Sequence, residues 1–460
     1  MIDTFRPPPA AAPRPARKFG SAGLLPWIFP AIIALGALDM FLSGRDLAQS
    51  FVMLEQVAAP ERSPIMVWVQ RAVSLMLLLA SVEQIANHFS LRRPLPSAGL
   101  LLAFILYWVG TIASPALFGT VPTLSHEYLY SLALGVAACL VGEGERDRIV
   151  RAARDALFAL MLVGLALVPL HTSLVLDLSY SQGIIPGLPR FAGLTPHPVT
   201  QGMLAQVALL VLWCVPFKRR WLNLLAWAMG LLVLFIAQSK TSWLAFGLCA
   251  AVLMVARSGG EFWQRMSDPR RGGVGVLVCL GVMLVVLGLG AWVLLGDAFG
   301  RAEDFYNSPQ GAALATMTGR DRIWAAALQE WNNNPMFGYG LTIWDNAYRV
   351  AIGLPNATHA HNQFMDDLAR AGNMGAGALL IYAPVLLVMS LRYARASGGL
   401  AIALFATIAI RAISEVPLML MGYGAELFTH LLLLVTLAAA ASARRQAAPA
   451  RSPLRYGVAT

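Results

Sequence analysis

The stretch MLAQVALLVLWCVPFKRRWLNLLAWAMGLLVLFIA, residues 203–237, decides the fold. Two apolar runs flank a short basic turn, Lys218, Arg219 and Arg220. A helix rises 1.5 Å per residue, so about twenty apolar residues cross a hydrocarbon core about 30 Å thick. The stretch therefore reads as two membrane-spanning helices joined on the side that retains positive charge.

The same pattern recurs along all 460 residues. Spans are expected near residues 23–42, 64–86, 97–117, 124–142, 152–171, 198–217, 220–238, 240–256, 274–296, 374–391, 398–414 and 422–442. The expected class is an all-α polytopic membrane protein with about twelve transmembrane helices. Composition agrees: 58% of residues are hydrophobic and 13% charged, with mean hydropathy +0.64. That leaves too little polar surface for a soluble globule of this size. A β-barrel would show weaker alternating segments of about ten residues. Cys139, Cys214, Cys249 and Cys279 lie inside apolar runs without ligand spacing, so they read as small core hydrophobes rather than a disulfide or metal framework.

Net charge is +10, yet its placement matters more than its sum. With both termini cytoplasmic, 23 of the 34 lysines and arginines fall on the cytoplasmic side. The surplus is thus a topology signal and a match to anionic lipid, with no nucleic-acid partner needed. The division expected is a disordered cytoplasmic tail (1–22), nine spans (23–296), a large periplasmic loop with amphipathic helices (297–373), three spans (374–442) and a second disordered tail (443–460).

Polar motifs gather in that loop. In TMTGRDRIWAAALQEWNNNPMFGYG (316–340), Thr318 and Asp321 have capping spacing. Ile323, Trp324, Ala327, Leu328 and Trp331 then make one apolar stripe. Arg320 and Arg322 lie in the first turn, where arginines and unpaired backbone N–H groups together suit an anion such as a phosphate; solvated or paired arginines are the plainer reading. In THAHNQFMDDLARAGNMGAG (358–377), Asn362 is the expected N-cap, Asp366 and Arg370 an i,i+4 pair and Gly372 the helix stop. His361 then sits at a helix start, where the dipole favours a neutral imidazole able to accept a proton. Zinc on His359 and His361 is disfavoured because no further ligand has suitable spacing. Arg190 in RFAGLTPHPVTQG and Lys240 in AQSKTSWLAF lie at the outer face, either snorkelling to water or clamping a lipid pyrophosphate.

RFAGLTPHP, SKTSW, TGRDRIW with PMFGYG, and HAHNQFMDDLARAGNMG, in that order, resemble the O-antigen ligase and Wzy-type polysaccharide polymerase family, most strongly over residues 190–375. The resemblance implies a metal-independent glycosyltransferase without cofactor in the bacterial inner membrane. It moves an undecaprenyl-diphosphate-linked glycan to an acceptor hydroxyl at the periplasmic face, the acceptor being a lipid-linked repeat or lipid A core. It implies catalytic roles for His361, as base or acceptor-positioning residue, and for Arg190, on the donor diphosphate. Lys240, Arg320, His359, Asn362, His197 and Trp324 are then expected to bind diphosphate or glycan, with Trp324, Trp331, Tyr339 and Trp344 as alternative packing or sugar-stacking faces. Lys240 stands where many ligases have arginine, and SKTS is more similar to the exopolysaccharide-polymerase branch. The competing reading is a transporter of a lipid-linked or small solute, with Arg71, Glu83 and Arg411 as intramembrane pathway residues.

Overall fold

The computed structural model describes residues 23–47, 63–179, 187–267, 320–355 and 357–447. After a 3₁₀ turn at Leu25–Trp27, the helices are α1 (Ile28–Leu42), α2 (Pro64–Ser90), α3 (Ala98–Phe118), α4 (Tyr128–Cys139), α5 (Glu143–Ala166), α6 (Pro198–Cys214) and α7 (Arg220–Ile236). They continue as α8 (Lys240–Ser267), α9 (Arg320–Asn333), α10 (Asn346–Ala351), α11 (Gln363–Arg392), α12 (Leu400–Ala412) and α13 (Ala425–Ala447). A two-residue antiparallel ladder pairs β1 (Leu176–Asp177) with β2 (Arg190–Phe191) in the register Leu176↔Phe191 and Asp177↔Arg190.

The core follows from helices that are apolar all round, which are stable only at the centre of an assembly. In α13, 89% of the apolar window is buried, and α6 buries most of its length from Pro198 to Leu212. Phe29 packs edge-on against Phe428 at 5.0 Å between ring centroids. The surrounding helices leave large apolar side chains outward, among them Trp68, Leu102, Leu224 and Leu380, each more than half exposed. Such a belt costs free energy in water and none in hydrocarbon.

Among the described residues, six helices are long and apolar enough to cross a membrane, and four shorter apolar helices accompany them. The expected ninth span, 274–296, the first part of the large loop and Thr318 lie outside the described residues, as do 1–22 and 448–460. The other expected spans all coincide with helix. Two expected boundaries shift. α13 runs to Ala447, past the expected tail boundary at 443. The expected limit between the loop and the tenth span, at 373, falls inside α11, because its segments on either side of Gly372 form one kinked element.

That kink is where two motifs meet. Gly372 has φ 60° and ψ −149°, a region open essentially to glycine. The break frees the carbonyls of Ala369 and Arg370, which accept instead from Tyr339 N (2.9 Å) and Gly340 N (2.9 Å). In exchange, Asn373 N and Met374 N donate to the carbonyls of Pro335 (2.8 Å) and Met336 (3.1 Å). A Cβ on Gly372 would lie 2.6 Å from backbone atoms of Pro335 and Met336, and one on Gly338 would lie 2.6 Å from Ala369 O. The glycines of PMFGYG and RAGNMG thus permit a backbone exchange that satisfies both segments.

The bundle has two distinct ends. One carries Arg93 on Glu145 (2.9 Å), Arg146 on the carbonyl of Ser397 (2.7 Å), Arg257 on that of Trp213 (2.9 Å) and Arg445 on that of Leu95 (2.6 Å). The other gathers the loops after α1, α5, α7 and α12 with the segment 320–362.

Candidate functional site

Ala360 anchors the site. Its N–H donates to Asp366 Oδ1 at 2.9 Å, and its carbonyl accepts from Trp324 Nε1 at 2.9 Å. Both backbone groups of the residue between His359 and His361 are therefore held, one by α11 and one by α9. Asp366 in turn accepts from Arg370 Nε at 2.6 Å, and Arg370 Nη1 donates to Leu341 O at 2.8 Å. The i,i+4 pair expected from sequence is present and almost wholly buried. Asn362 caps α11 as expected, accepting from Met365 N at 3.0 Å. His361, just before the cap, has φ 50°, a conformation uncommon for a non-glycine residue and frequent at functional positions.

Two contacts then draw in the loop after α12. Asn362 Nδ2 donates to Ile413 O at 3.3 Å, and Leu418 N donates to Gln363 Oε1 at 2.8 Å. Glu415 lies between these ties. Its Oε2 stands 3.4 Å from His359 Nε2 and 3.5 Å from His361 Nδ1, and the two imidazole centroids are 4.2 Å apart. His361 N–H donates to His359 Nδ1 at 3.1 Å, so the neutral His359 ring carries its proton on Nε2 and presents it to Glu415. Burial, and then the neighbouring His361 ring, push His359 down to about 4. Burial alone would raise Glu415, but the contact with His361 and the electrostatic influence of His359, His361 and Arg411 bring its carboxyl below its ordinary value.

These groups line a cavity of about 780 Å³ together with His197, Arg411, Asp39 and Glu426. Ile32, Ile33, Leu160 and Leu204 give it an apolar wall. His197 caps α6 by accepting from Val199 N at 3.1 Å through Nδ1. Burial and the nearby Arg190 push it to about 4. The loop carrying both residues is stapled by Arg45, which donates to the carbonyls of Leu174 (3.3 Å), Gly193 (3.1 Å) and Pro196 (2.8 Å).

Of the eight residues expected in the site, His361, His359 and His197 line this cavity. Arg190 is buried behind His197, its Nε donating to Ala237 O at 3.0 Å. Lys240 is exposed at the start of α8, and Arg320 begins α9; neither is among the cavity's lining residues. Arg190, Lys240 and Arg320 are thus not among the residues that line this cavity. Trp324 and Asn362 hold backbone rather than line the cavity. Sequence reading missed Glu415, because its partners lie more than fifty residues away; a carboxylate just after an apolar helix was the one available signal. It assigned Arg411 only to the transporter reading. That reading's other residues lie elsewhere: Arg71 stacks over Trp68 at 5.1 Å, and Glu83 accepts from Leu24 N at 2.7 Å.

The expectation that no third ligand joins the histidine pair also needs correction. Donor atoms of His359, His361 and Glu415 lie within 4.8 Å of one another. Distance alone would admit a metal ion, but a ligating histidine almost always donates through its second nitrogen. His359 Nδ1 is an acceptor here, so its Nε2 is protonated and offers no lone pair.

Two half-buried rings held near 4 make this end acid-sensitive. Unfolded, each protonates near 6.5; folded, each resists until about 4. Stability is therefore full above pH 6.5 and falls between 6.5 and 4, by at most about 1.4 kcal/mol per pH unit for each ring. Melting of the detergent-solubilised protein across pH 4–8 should show that slope, and His197→Gln and His359→Gln should each flatten it. A wild-type curve flat down to pH 4 would contradict the assignment.

A helical bundle with a lipid-facing belt and a histidine–glutamate cluster opening into a half-apolar cavity at one end defines a polytopic membrane protein with an ionic site. The family model described as O-antigen ligase matches residues 224–382 of the chain, the region that carries the polar motifs after the seventh helix. The match includes Lys240, Arg320, His359 and His361 and stops short of Arg411 and Glu415. No curated protein matches the chain.

Proposed function

We propose that this protein is a metal-independent glycosyltransferase that polymerises surface or exopolysaccharide repeats, moving an undecaprenyl-diphosphate-linked glycan to an acceptor sugar hydroxyl at the periplasmic face of the inner membrane. The observation that carries this reading is the contact of His361 Nδ1 with Glu415 Oε2, inside a cavity that also has apolar walls. A proton on Nδ1 faces the carboxylate and leaves the Nε2 lone pair for an acceptor hydroxyl. His361 Nε2 takes the hydroxyl proton as the acceptor oxygen bonds to the anomeric carbon. The bond from that carbon to the diphosphate oxygen breaks, and its electron pair leaves with the polyprenyl diphosphate. Glu415 stabilises the imidazolium so formed, and guanidinium groups stabilise the leaving diphosphate.

Arg190 supports the donor side from behind His197, and Lys240 and Arg320 supply further positive charge at the same end of the bundle. His359 fixes Glu415, and Asn362 and Trp324 hold the histidine segment in place. The basic residues of the opposite end support cytoplasmic placement there. Transfer to lipid A core is the second reading, carried by the O-antigen ligase match.

Purified protein given a lipid-linked repeat, with and without lipid A core, tests the choice. Longer lipid-linked chains support polymerisation, glycan on core supports ligation, and no transfer to either refutes both. Activity should persist in a chelator.

A further inference from the structure

Arg411 has no role in the chemistry derived so far, and its surroundings are unusual. It lies in the last turn of α12, 6% exposed, and lines the cavity. Its Nη2 donates to Ser242 Oγ at 2.9 Å, while its Nε is buried without a partner. Among the described residues no carboxylate lies within 4.0 Å of it. Glu415, one turn along the chain, and Glu426 act on it only at longer range, and the direct contacts of Glu415 are with the two histidines. A buried guanidinium normally has an ion-pair partner, because its charge is costly to leave uncompensated. Of the five N–H donors of this cavity-lining guanidinium, the fixed contact is the one to Ser242.

That contact is built in. Ser242 belongs to the SKTS segment, is fully buried and shares a hydrogen bond of 2.9 Å with Ser239. α6 presses on both serines through Gly202, where a Cβ would lie 3.0 Å from Ser239 Cβ and from Ser242 Oγ. Lys240 of the same segment is exposed. The segment therefore reaches the cavity through a serine that orients an arginine from another helix, rather than through its lysine.

The cavity's other features narrow the anion. At about 780 Å³ it far exceeds a lone phosphate, and Ile32, Ile33, Leu160 and Leu204 offer an apolar wall beside the guanidinium. A planar guanidinium grips phosphate oxygens in pairs. The remaining carboxylates, Asp39 and Glu426, come from α1 and α13 and suit sugar hydroxyls rather than an anion.

We infer that Arg411, oriented by Ser242, is the cavity's binding residue for the diphosphate of a polyprenyl-linked ligand whose chain runs along the apolar wall. This rests on the glycosyltransferase reading and adds a donor-binding residue to it.

Binding of farnesyl diphosphate, farnesyl monophosphate, inorganic pyrophosphate and glucuronate to the purified full-length protein tests the inference. The wild type should bind farnesyl diphosphate most tightly. Arg411→Gln should weaken it by about tenfold or more, Arg411→Lys by less, and Ser242→Ala by about threefold. Ser242→Ala keeps the test decisive if Arg411→Gln fails to insert. Unchanged affinity in a correctly inserted Arg411→Gln protein, or in Ser242→Ala should Arg411→Gln not insert, overturns the inference while leaving glycan transfer to be judged by its own product assay. Pyrophosphate binding as tightly as farnesyl diphosphate overturns the lipid part. Glucuronate binding most tightly, with the same dependence on Arg411, overturns the diphosphate assignment. A wild type that binds none of the four overturns this inference and the donor reading together.

Discussion

His361→Ala is expected to slow glycan transfer by on the order of 10²-fold to 10⁴-fold, the usual loss when a general base is removed. Donor binding should persist, because the arginines do not depend on the imidazole. The structure adds a graded companion. Glu415→Gln keeps a polar oxygen beside His359 Nε2 and His361 Nδ1, but removes the charge that stabilises the imidazolium. Its rate should therefore fall between those of the wild type and His361→Ala. Combining the two changes should cost little more than His361→Ala alone, because both remove parts of one unit. Initial rates in proteoliposomes at fixed donor concentration measure all three. Full activity in His361→Ala, or loss of activity to a chelator with restoration by a divalent metal, would end the neutral-base mechanism.

Arg370→Ala is expected to destabilise the protein by about 3–5 kcal/mol, the typical cost of removing one partner of a buried ion pair. Asp366 is 1% exposed and Arg370 7% exposed, so the abandoned carboxylate has no access to water. The effect should reach the site, because Asp366 also holds Ala360 N–H and Arg370 also holds the carbonyl of Leu341. Asp366→Asn with Arg370→Leu should recover part of the loss, since neither buried charge then remains. Thermal melting and protease sensitivity of the 320–362 segment read both effects. A single variant as stable as wild type would show that this pair does not anchor the histidine segment.

The amino-acid sequence by itself determined the class and most elements. Spanning length and apolar periodicity are local properties, so helices appear where twenty apolar residues recur, and the basic residues mark one end of the bundle. The N-cap at Asn362, the Asp366–Arg370 pair and the break at Gly372 were likewise legible, because each depends on residues within one or two turns. The family motifs pointed to the histidine segment for a related reason: they lie close together in the chain.

Only the tertiary structure decided what surrounds that segment. Glu415 and Arg411 reach the cavity from α12 and the loop after it, and Ser242 reaches Arg411 across 169 residues of chain. Helix packing sets these distances, and no sequence spacing encodes them. The same packing placed Lys240 outside the cavity and gave Trp324 a backbone to hold. Local chemistry thus identified which groups were reactive. Which of them face one another depended on how the helices cross, since packing brings together side chains that are far apart in the chain.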